Sequence, residues 1–429
     1  MAYRPVNRNF ADSKPFPFFL FSSMEGIIAQ LARQEVWEEF LSHRLLKGRF
    51  TWHEFDDADS FVAAEQYLPV VERLLRGEAL GIPRKQVLNK MGTGKKRTVY
   101  SFPPDEMAVL KLIAHLLYRY DGRFSTNCYA FRRGLRASDA LYSLRRGLKG
   151  RRMWAYKLDI HDYFNSISIP LLLPVLHELL ADDPALCRFF DTLLDDDRAR
   201  WRDELVREPR GVMAGTPTAP FLADVFLMDV DRHFAEAGVL YARYSDDIIL
   251  FAPDEATLLA HKATLLALLE QHRLQVNPDK EHTYAPGESF EFLGFRCDGP
   301  GIGVARSTVQ KMKGKIRRAA RALMRWRVRK GLGAEQAMKG LIRIFNSKFF
   351  EGDDPEALCW SRWFFPVINR SDELRELDRY LQQELRYLAT GRHTKANWRI
   401  RYPQLKALGY RSLVHEYYRY KNNSLNTRT

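Results

Sequence analysis

Tyr244-Ser245-Asp246-Asp247 is the sharpest chemical feature of the chain, because apolar residues flank it on both sides. The stretch Val239 to Ala252 predicts a hairpin with the two acids at its tip. Adjacent acids between buried strands repel each other and resist ionisation unless a cation compensates, and a bound divalent metal is the usual compensation. A third acid, Asp159, ends the apolar stretch Trp154 to Ile160, which predicts a buried strand. If that strand pairs with the hairpin, Asp159 faces Asp246. Carboxylates from two strands could then hold two Mg²⁺ about 3.5–4 Å apart, the arrangement that activates a hydroxyl and stabilises a leaving pyrophosphate. Mg²⁺ keeps waters and takes further ligands from substrate phosphates, so few protein ligands suffice. The other acidic runs, Asp182-Asp183 and Asp195-Asp196-Asp197, lie beside Pro184 and Arg198 and are expected to be solvated turns.

The elements that position these acids follow from periodicity. Leu31 to Leu46 and Glu106 to Tyr120 carry apolar residues at helical spacing. Gly81 to Tyr100 predicts two strands around a glycine-containing turn, closed by Pro103-Pro104. Leu171 to Leu180, Leu186 to Leu194, Ala219 to Phe234 and Thr257 to His272 predict helices. Phe290 to Gly303 predicts another hairpin, and from Ser307 the pattern is helical to the end.

Composition narrows the class. The 429 residues carry 67 Lys+Arg against 53 Asp+Glu, a net charge of +14, which favours a polyanionic partner. Hydrophobic residues make up 46%, too many for a disordered chain. Cys128, Cys187, Cys297 and Cys359 lie far apart with no CxxC pair, which argues against a zinc knuckle or a disulfide framework and fits a reducing, cytoplasmic location. The apolar run Phe16 to Phe21 contains Pro17 and is too short for a signal or a membrane span, so no membrane role is expected. Gly92-Thr93-Gly94-Lys95 fails as a phosphate loop, because Asn89 stands at its first glycine position and Lys96 at its Ser/Thr position.

The ordered set of segments resembles the reverse transcriptases. Asp159 with Phe164 is similar to their motif A, Gly211-Val-Met-Ala-Gly215 through Leu227 to motif B, and Tyr244-Ser245-Asp246-Asp247 to motif C. Lys280 is similar to the motif D lysine, Phe292-Leu293-Gly294-Phe295 to the primer grip, and Tyr129-Ala-Phe131-Arg132-Arg-Gly134 to the element before motif A. The resemblance implies an α+β right-hand polymerase: a fingers–palm fold with an antiparallel palm sheet, then an all-α thumb and C-terminal region. It implies an N-terminal helical extension over 1–75, fingers over 76–155, palm over 156–303 and a basic helical thumb region over 304–429.

It also implies roles. Asp159, Asp246 and Asp247 would be catalytic and would hold two Mg²⁺ (or Mn²⁺), with the backbone carbonyl of Ile160 as a further ligand. Lys96, Arg97, Phe164, Gly215 and Lys280 would contact the dNTP. The Phe164 ring would exclude a 2′-hydroxyl, and Lys280 would protonate the pyrophosphate. Phe292, Leu293 and Gly294 would hold the primer, and Lys311, Lys315, Arg318 and Arg325 the nucleic-acid backbone. Residues 301–350 hold 14 Lys+Arg and a single acid, as a thumb that neutralises phosphates requires. The implied partners are an RNA template, in particular a non-coding RNA, a DNA product and dNTPs, and a homo-oligomer is compatible with this reading.

Motif B departs from the family. Ala214 replaces the usual Gln and Ala219 the frequent Ser. The lost Gln puts ordinary template handling in doubt, so template-independent or protein-primed synthesis is the rival reaction. The segment Met213-Ala214-Gly215 argues against a group II intron enzyme, and the retron Asn-Ala-x-x-His segment is absent. A retron or intron enzyme, sharing the chemistry, and a catalytically dead RNA-binding scaffold are further alternatives. The aromatic-rich end, Trp360 to Val367, Leu374 to Leu388 and Gly409 to Tyr418, resembles the defence-associated, abortive-infection ("unknown group") bacterial enzymes, which implies a role against phage.

Overall fold

The computed structural model describes residues 25–46, 52–89, 96–351 and 359–426. At its centre a four-stranded sheet has the order β6-β7-β3-β8, built from β3 (Trp154–Asp159), β6 (Leu240–Tyr244), β7 (Asp247–Ala252) and β8 (His282–Tyr284). All pairings are antiparallel, and β3 meets β7 in the register Trp154↔Ala252 through Asp159↔Asp247.

Both faces of β3, β6 and β7 are covered, which is why these strands are mostly apolar, whereas β8 at the edge is polar. Tyr156, Leu158, Ile248 and Leu250 point into a core shared with the helices Ala219–Phe226, Met228–Glu236 and Glu255–Gln271. Ala155, Ala242, Ile249 and Phe251 point the other way, into a core shared with the helix Ala137–Leu148 and the C-terminal helices. That second core also holds Phe292 and Phe295 from a three-stranded sheet of β9 (Phe290–Phe292), β10 (Phe295–Asp298) and β11 (Gly301–Val304). The expected hairpin over 290–303 is therefore a three-stranded meander, because the turn at Leu293-Gly294 adds a strand edge ahead of it.

The hairpin expected over 81–100 forms as β1 (Arg84–Asn89) and β2 (Lys96–Ser101); its Gly92–Lys95 turn lies outside the described residues. A second hairpin, β4 (Arg198–Trp201) and β5 (Glu204–Arg207), extends this sheet through a parallel Arg84↔Arg200 contact. Residues 198–207 thus belong to the first sheet although they follow β3 in the chain. Lys85 and Tyr100 meet on the Glu208 carboxylate, which ties the two hairpins together.

Two expectations need correction. The helix expected over Ala219–Phe234 is two helices that break at Leu227 (φ −115°, ψ 19°), and the break redirects Asp231 toward the central sheet. Asp183 is no solvated turn: it is 2% exposed. It caps the helix Pro184–Asp195 by accepting from Leu186 N–H, and it also accepts from Ile27 N–H and the Arg119 guanidinium. After β11 comes the 25-residue basic helix Arg306–Lys330, packed against Ala334–Asn346 and Asp372–Thr390.

Candidate active site

The catalytic candidates gather at one end of the central sheet. β6 and β7 are joined by Ser245-Asp246 alone, and Ser245 adopts φ +60°, a conformation that glycine usually supplies in such turns. A non-glycine residue there costs on the order of 1–2 kcal/mol, so neighbouring groups must hold it. The Asp246 carbonyl accepts from Ile160 N–H at 3.0 Å, and Asp159 lies directly opposite Asp247. The three carboxylates therefore share one sheet end.

Their electrostatics follow from burial. Asp246 is pushed up to about 6, first by desolvation and then by the charges of Asp159 and Asp247. Asp247 is raised by burial too, opposed chiefly by Lys157, whose ammonium lies 3.6 Å from its Oδ1. Asp159 is 5% exposed and accepts a charge-assisted bond from Lys280. That lysine is aimed by the backbone: Asn277 N–H donates to the Asp159 carbonyl (2.8 Å), and Lys280 N–H donates to the Asn277 carbonyl (3.0 Å).

Two lysines thus hold Asp159 and Asp247, and among the described residues no three His, Cys, Asp or Glu side chains are already gathered as a cage for a metal. The donor set still fits a hard divalent cation. It is all oxygen, and burial together with the charges of Asp159 and Asp247 raises Asp246, a repulsion that a bound cation would relieve. Asp159, Asp246 and Asp247 would hold such an ion. The Ile160 carbonyl shares the strand end, and its residue bridges Val276.

Beneath the turn lies a device that the sequence reading missed. Arg243 is wholly buried, and its Nε donates to both Asp231 oxygens at 2.9 and 3.1 Å. Its Nη1 donates to Asp224 Oδ1 (3.1 Å) and to the Ser245 carbonyl (3.3 Å), so the guanidinium grips the strained residue next to Asp246. Asp224 is pushed up to about 7 by burial, against the pull of Arg243. The available signal was a charge inside an apolar run, as in Leu240-Tyr-Ala-Arg243 and Phe221-Leu-Ala-Asp224: a buried charge demands a partner. Lys157 gave the same signal within β3.

The nucleotide candidates lie on several elements. Phe164 sits on the one-turn helix Tyr163–Ser166, with its ring 6.1 Å from that of Phe131. Its carbonyl accepts from Val212 N–H, and Gly211 lies so close that a Cβ would stand 2.8 Å from that carbonyl oxygen. Gly215, at φ +102°, lies against Val99 and Tyr100 of β2, where Tyr100 N–H donates to the Ala214 carbonyl (2.8 Å). The Ala214 side chain is buried, so this position offers no amide to a template. Lys96 and Arg97 are exposed on β2.

The primer-grip expectation needs a partial correction. Phe292 is wholly buried and Leu293 nearly so, hence both side chains are core rather than nucleic-acid contacts. The reason is the second core: the Leu293 carbonyl accepts from Trp363 Nε1 (3.3 Å), whose ring meets Tyr244 of the acidic turn edge-on. Gly294 is half-buried, at φ +81°, and its carbonyl accepts from Ala305 N–H. On the helix Arg306–Lys330, Lys311, Arg318 and Arg325 are exposed and Lys315 is half-buried. Burial and the charges of Lys348, Arg318 and Lys311 lower the Lys315 pKa. Arg306 and Lys313 instead pair with Glu376, and Arg327 donates to the Leu388 and Ala389 carbonyls.

The family model described as reverse transcriptase (RNA-dependent DNA polymerase) matches residues 82–297, half of the chain. Retron Mx65 reverse transcriptase of Myxococcus xanthus is 25% identical over 183 residues, which cover 40% of this chain and 42% of that protein. The chain therefore spans less than half the length of this curated relative. Among solved structures, telomerase of Candida albicans in complex with a fragment of telomeric RNA aligns at a TM-score of 0.41 and 12% identity, over 81% of this chain and 68% of that one. Apo telomerase of Candida tropicalis, truncated from the C-terminal domain, aligns at 0.43 and 11%, over 52% and 55%. Likeness at that level carries no argument about this chain. No described helix is long and apolar enough to cross a membrane.

Proposed function

The chain belongs to the reverse transcriptase family, and on that footing we propose that it is an RNA-directed DNA polymerase whose site is Asp159, Asp246 and Asp247. One observation carries the assignment: the β3–β7 register sets Asp159 opposite Asp247 while Ile160 N–H bonds the Asp246 carbonyl. In the reaction a primer 3′-oxygen attacks the α-phosphorus of a dNTP. The bond to the bridging oxygen breaks, pyrophosphate leaves, and the 3′-hydroxyl proton passes to solvent water. Two Mg²⁺ held by the three carboxylates would supply Lewis acidity at the attacking and leaving oxygens. Lys280 is on hand to protonate the pyrophosphate, and Lys96 and Arg97 to neutralise the triphosphate. In this reading the Phe164 ring excludes a 2′-hydroxyl and Gly215 contacts the nucleotide.

The division into extension (1–75), fingers (76–155), palm (156–303) and basic thumb region (304–429) is part of this reading, with β4–β5 returning to the fingers sheet. So is a role in antiphage defence with a non-coding RNA, supported by the aromatic helical end. Similarity to a retron enzyme favours a second reading, in which the RNA partner is of the retron kind. The test of the site is Asp246→Ala with Asp247→Ala. Mg²⁺-dependent dNTP incorporation on a primed RNA template should vanish while the melting temperature holds. Undiminished incorporation would falsify the assignment. Sequencing the product separates templated cDNA from the random DNA of template-independent synthesis.

A further inference from the structure

Away from the acidic turn, the far end of the central sheet carries a concentrated positive surface. Arg145 and Arg146 end the helix Ala137–Leu148, Lys149 follows in a left-handed conformation (φ +47°), and Arg151 and Arg152 lead into β3. All five are exposed. Arg145, Arg151 and Arg152 line a cleft of about 700 Å³ together with Arg370, across from the β10–β11 turn. Tyr142 continues the surface, 40% exposed, with its hydroxyl fixed on the Pro366 carbonyl.

The acids in and near this cleft have partners of their own, Asp298 in the cleft's own Arg370. Asp139 accepts from Arg136 N–H, Glu288 accepts from Ala285 N–H, and Asp298 pairs with Arg370 and Arg296. Arg151 donates to the Gly147 and Leu148 carbonyls and so finishes the helix. A helix C-terminus accounts for cations in its last turn. It does not account for Arg152, which lies outside the helix, whereas Arg370 is held by Asp298.

We propose that this cleft binds the phosphate backbone of a folded RNA segment, at a point separate from the catalytic end. Guanidinium groups predominate, and their forked donors match phosphate oxygens better than ammonium does. A concave cleft fits a rod-like backbone rather than a flat membrane surface. The separation follows from the register. Trp154 pairs with Ala252 at this end and Asp159 with Asp247 at the other, five residues and about 17 Å apart. The choice of RNA over DNA rests on the polymerase reading; the surface itself does not.

The test uses the full chain with Arg145→Gln, Arg146→Gln and Arg152→Gln together, leaving Arg151 to finish its helix. The probes are a 24-base-pair RNA hairpin, a DNA hairpin of the same sequence, and a DNA primer on a short RNA template. Affinity for the RNA hairpin should fall about 10- to 100-fold, and the dependence of log K on log salt should flatten by about 2. Extension on the short template should stay at the wild-type rate, and the DNA hairpin should be less affected than the RNA. A matching Arg→Lys triple variant keeps the charge and should bind within about threefold of wild type, which separates lost charge from lost fold. The proposal is overturned by unchanged RNA affinity, by an equal effect on the DNA hairpin, or by a parallel loss of short-template extension. A wild-type chain that binds the RNA hairpin through these arginines but extends no primer would sink the polymerase reading alone.

Discussion

The acidic end of the central sheet and the basic helix Arg306–Lys330 both concentrate charge, and they handle it in opposite ways. Around the Tyr244–Asp247 turn the acids are buried or half-buried, and named cations hold most of them: Lys280 on Asp159, Lys157 on Asp247, Arg243 on Asp231 and Asp224. Along the helix, Lys311, Arg318 and Arg325 stand exposed, while Arg306 and Lys313 are spent on Glu376 and Arg327 on helix-end carbonyls. Buried charge fixes geometry because an unpaired member costs several kcal/mol, whereas exposed charge fixes little and stays available for a polyanion. The first region can set a distance between reacting atoms; the second can only raise affinity.

That contrast breaks most sharply at Asp159. Asp159→Asn should lower dNTP incorporation at least about 1,000-fold, more than 4 kcal/mol of barrier, with a melting temperature no lower than wild type, since it relieves repulsion on Asp246. Steady-state incorporation and a thermal melt read the two effects, and a collapsed melt with residual activity would turn the residue from catalytic to structural. Next comes Arg243→Met, which leaves Asp231 and Asp224 buried without their cation. Urea denaturation should show a loss of about 3–5 kcal/mol, partly restored by adding Asp231→Asn. A change under about 1 kcal/mol would mean that the arginine does not hold the turn. The smallest effect belongs to the helix. Lys311→Gln, Lys315→Gln and Arg318→Gln together should weaken primer–template binding about 10-fold at moderate salt and flatten its salt dependence. Stability should move by less than about 0.5 kcal/mol at these sites. A large stability loss there would erase the contrast.

Much of the site was legible because catalytic chemistry imposes residue types. The proposed chemistry calls for a Tyr-x-Asp-Asp between apolar runs and an Asp closing an apolar stretch, while Gly211 and Gly215 answer to the close approach of Phe164 and Tyr100. The supporting charges were harder. Arg243, Asp224 and Lys157 each stand as a charge inside an apolar run, but nothing in the chain order says that Arg243 meets two acids from two helices. Asp183 misled for the same reason: beside Asp182 and Pro184 it resembles a surface turn, and only the arrival of Ile27 and Arg119 buries it. The hairpin 198–207 escaped notice because its short, charged strands lack apolar alternation and join the first sheet by an edge contact.

By itself the amino-acid order determined the periodicities, and with them the strands, the helices and the acids at their ends, since those depend on a residue and its near neighbours. Which carboxylate stands opposite which, how far Asp246 is lifted, and why Phe292 is core rather than surface were decided by the tertiary structure. Those properties depend on the electrostatic and packing environment that distant segments bring together, and no window of sequence contains it.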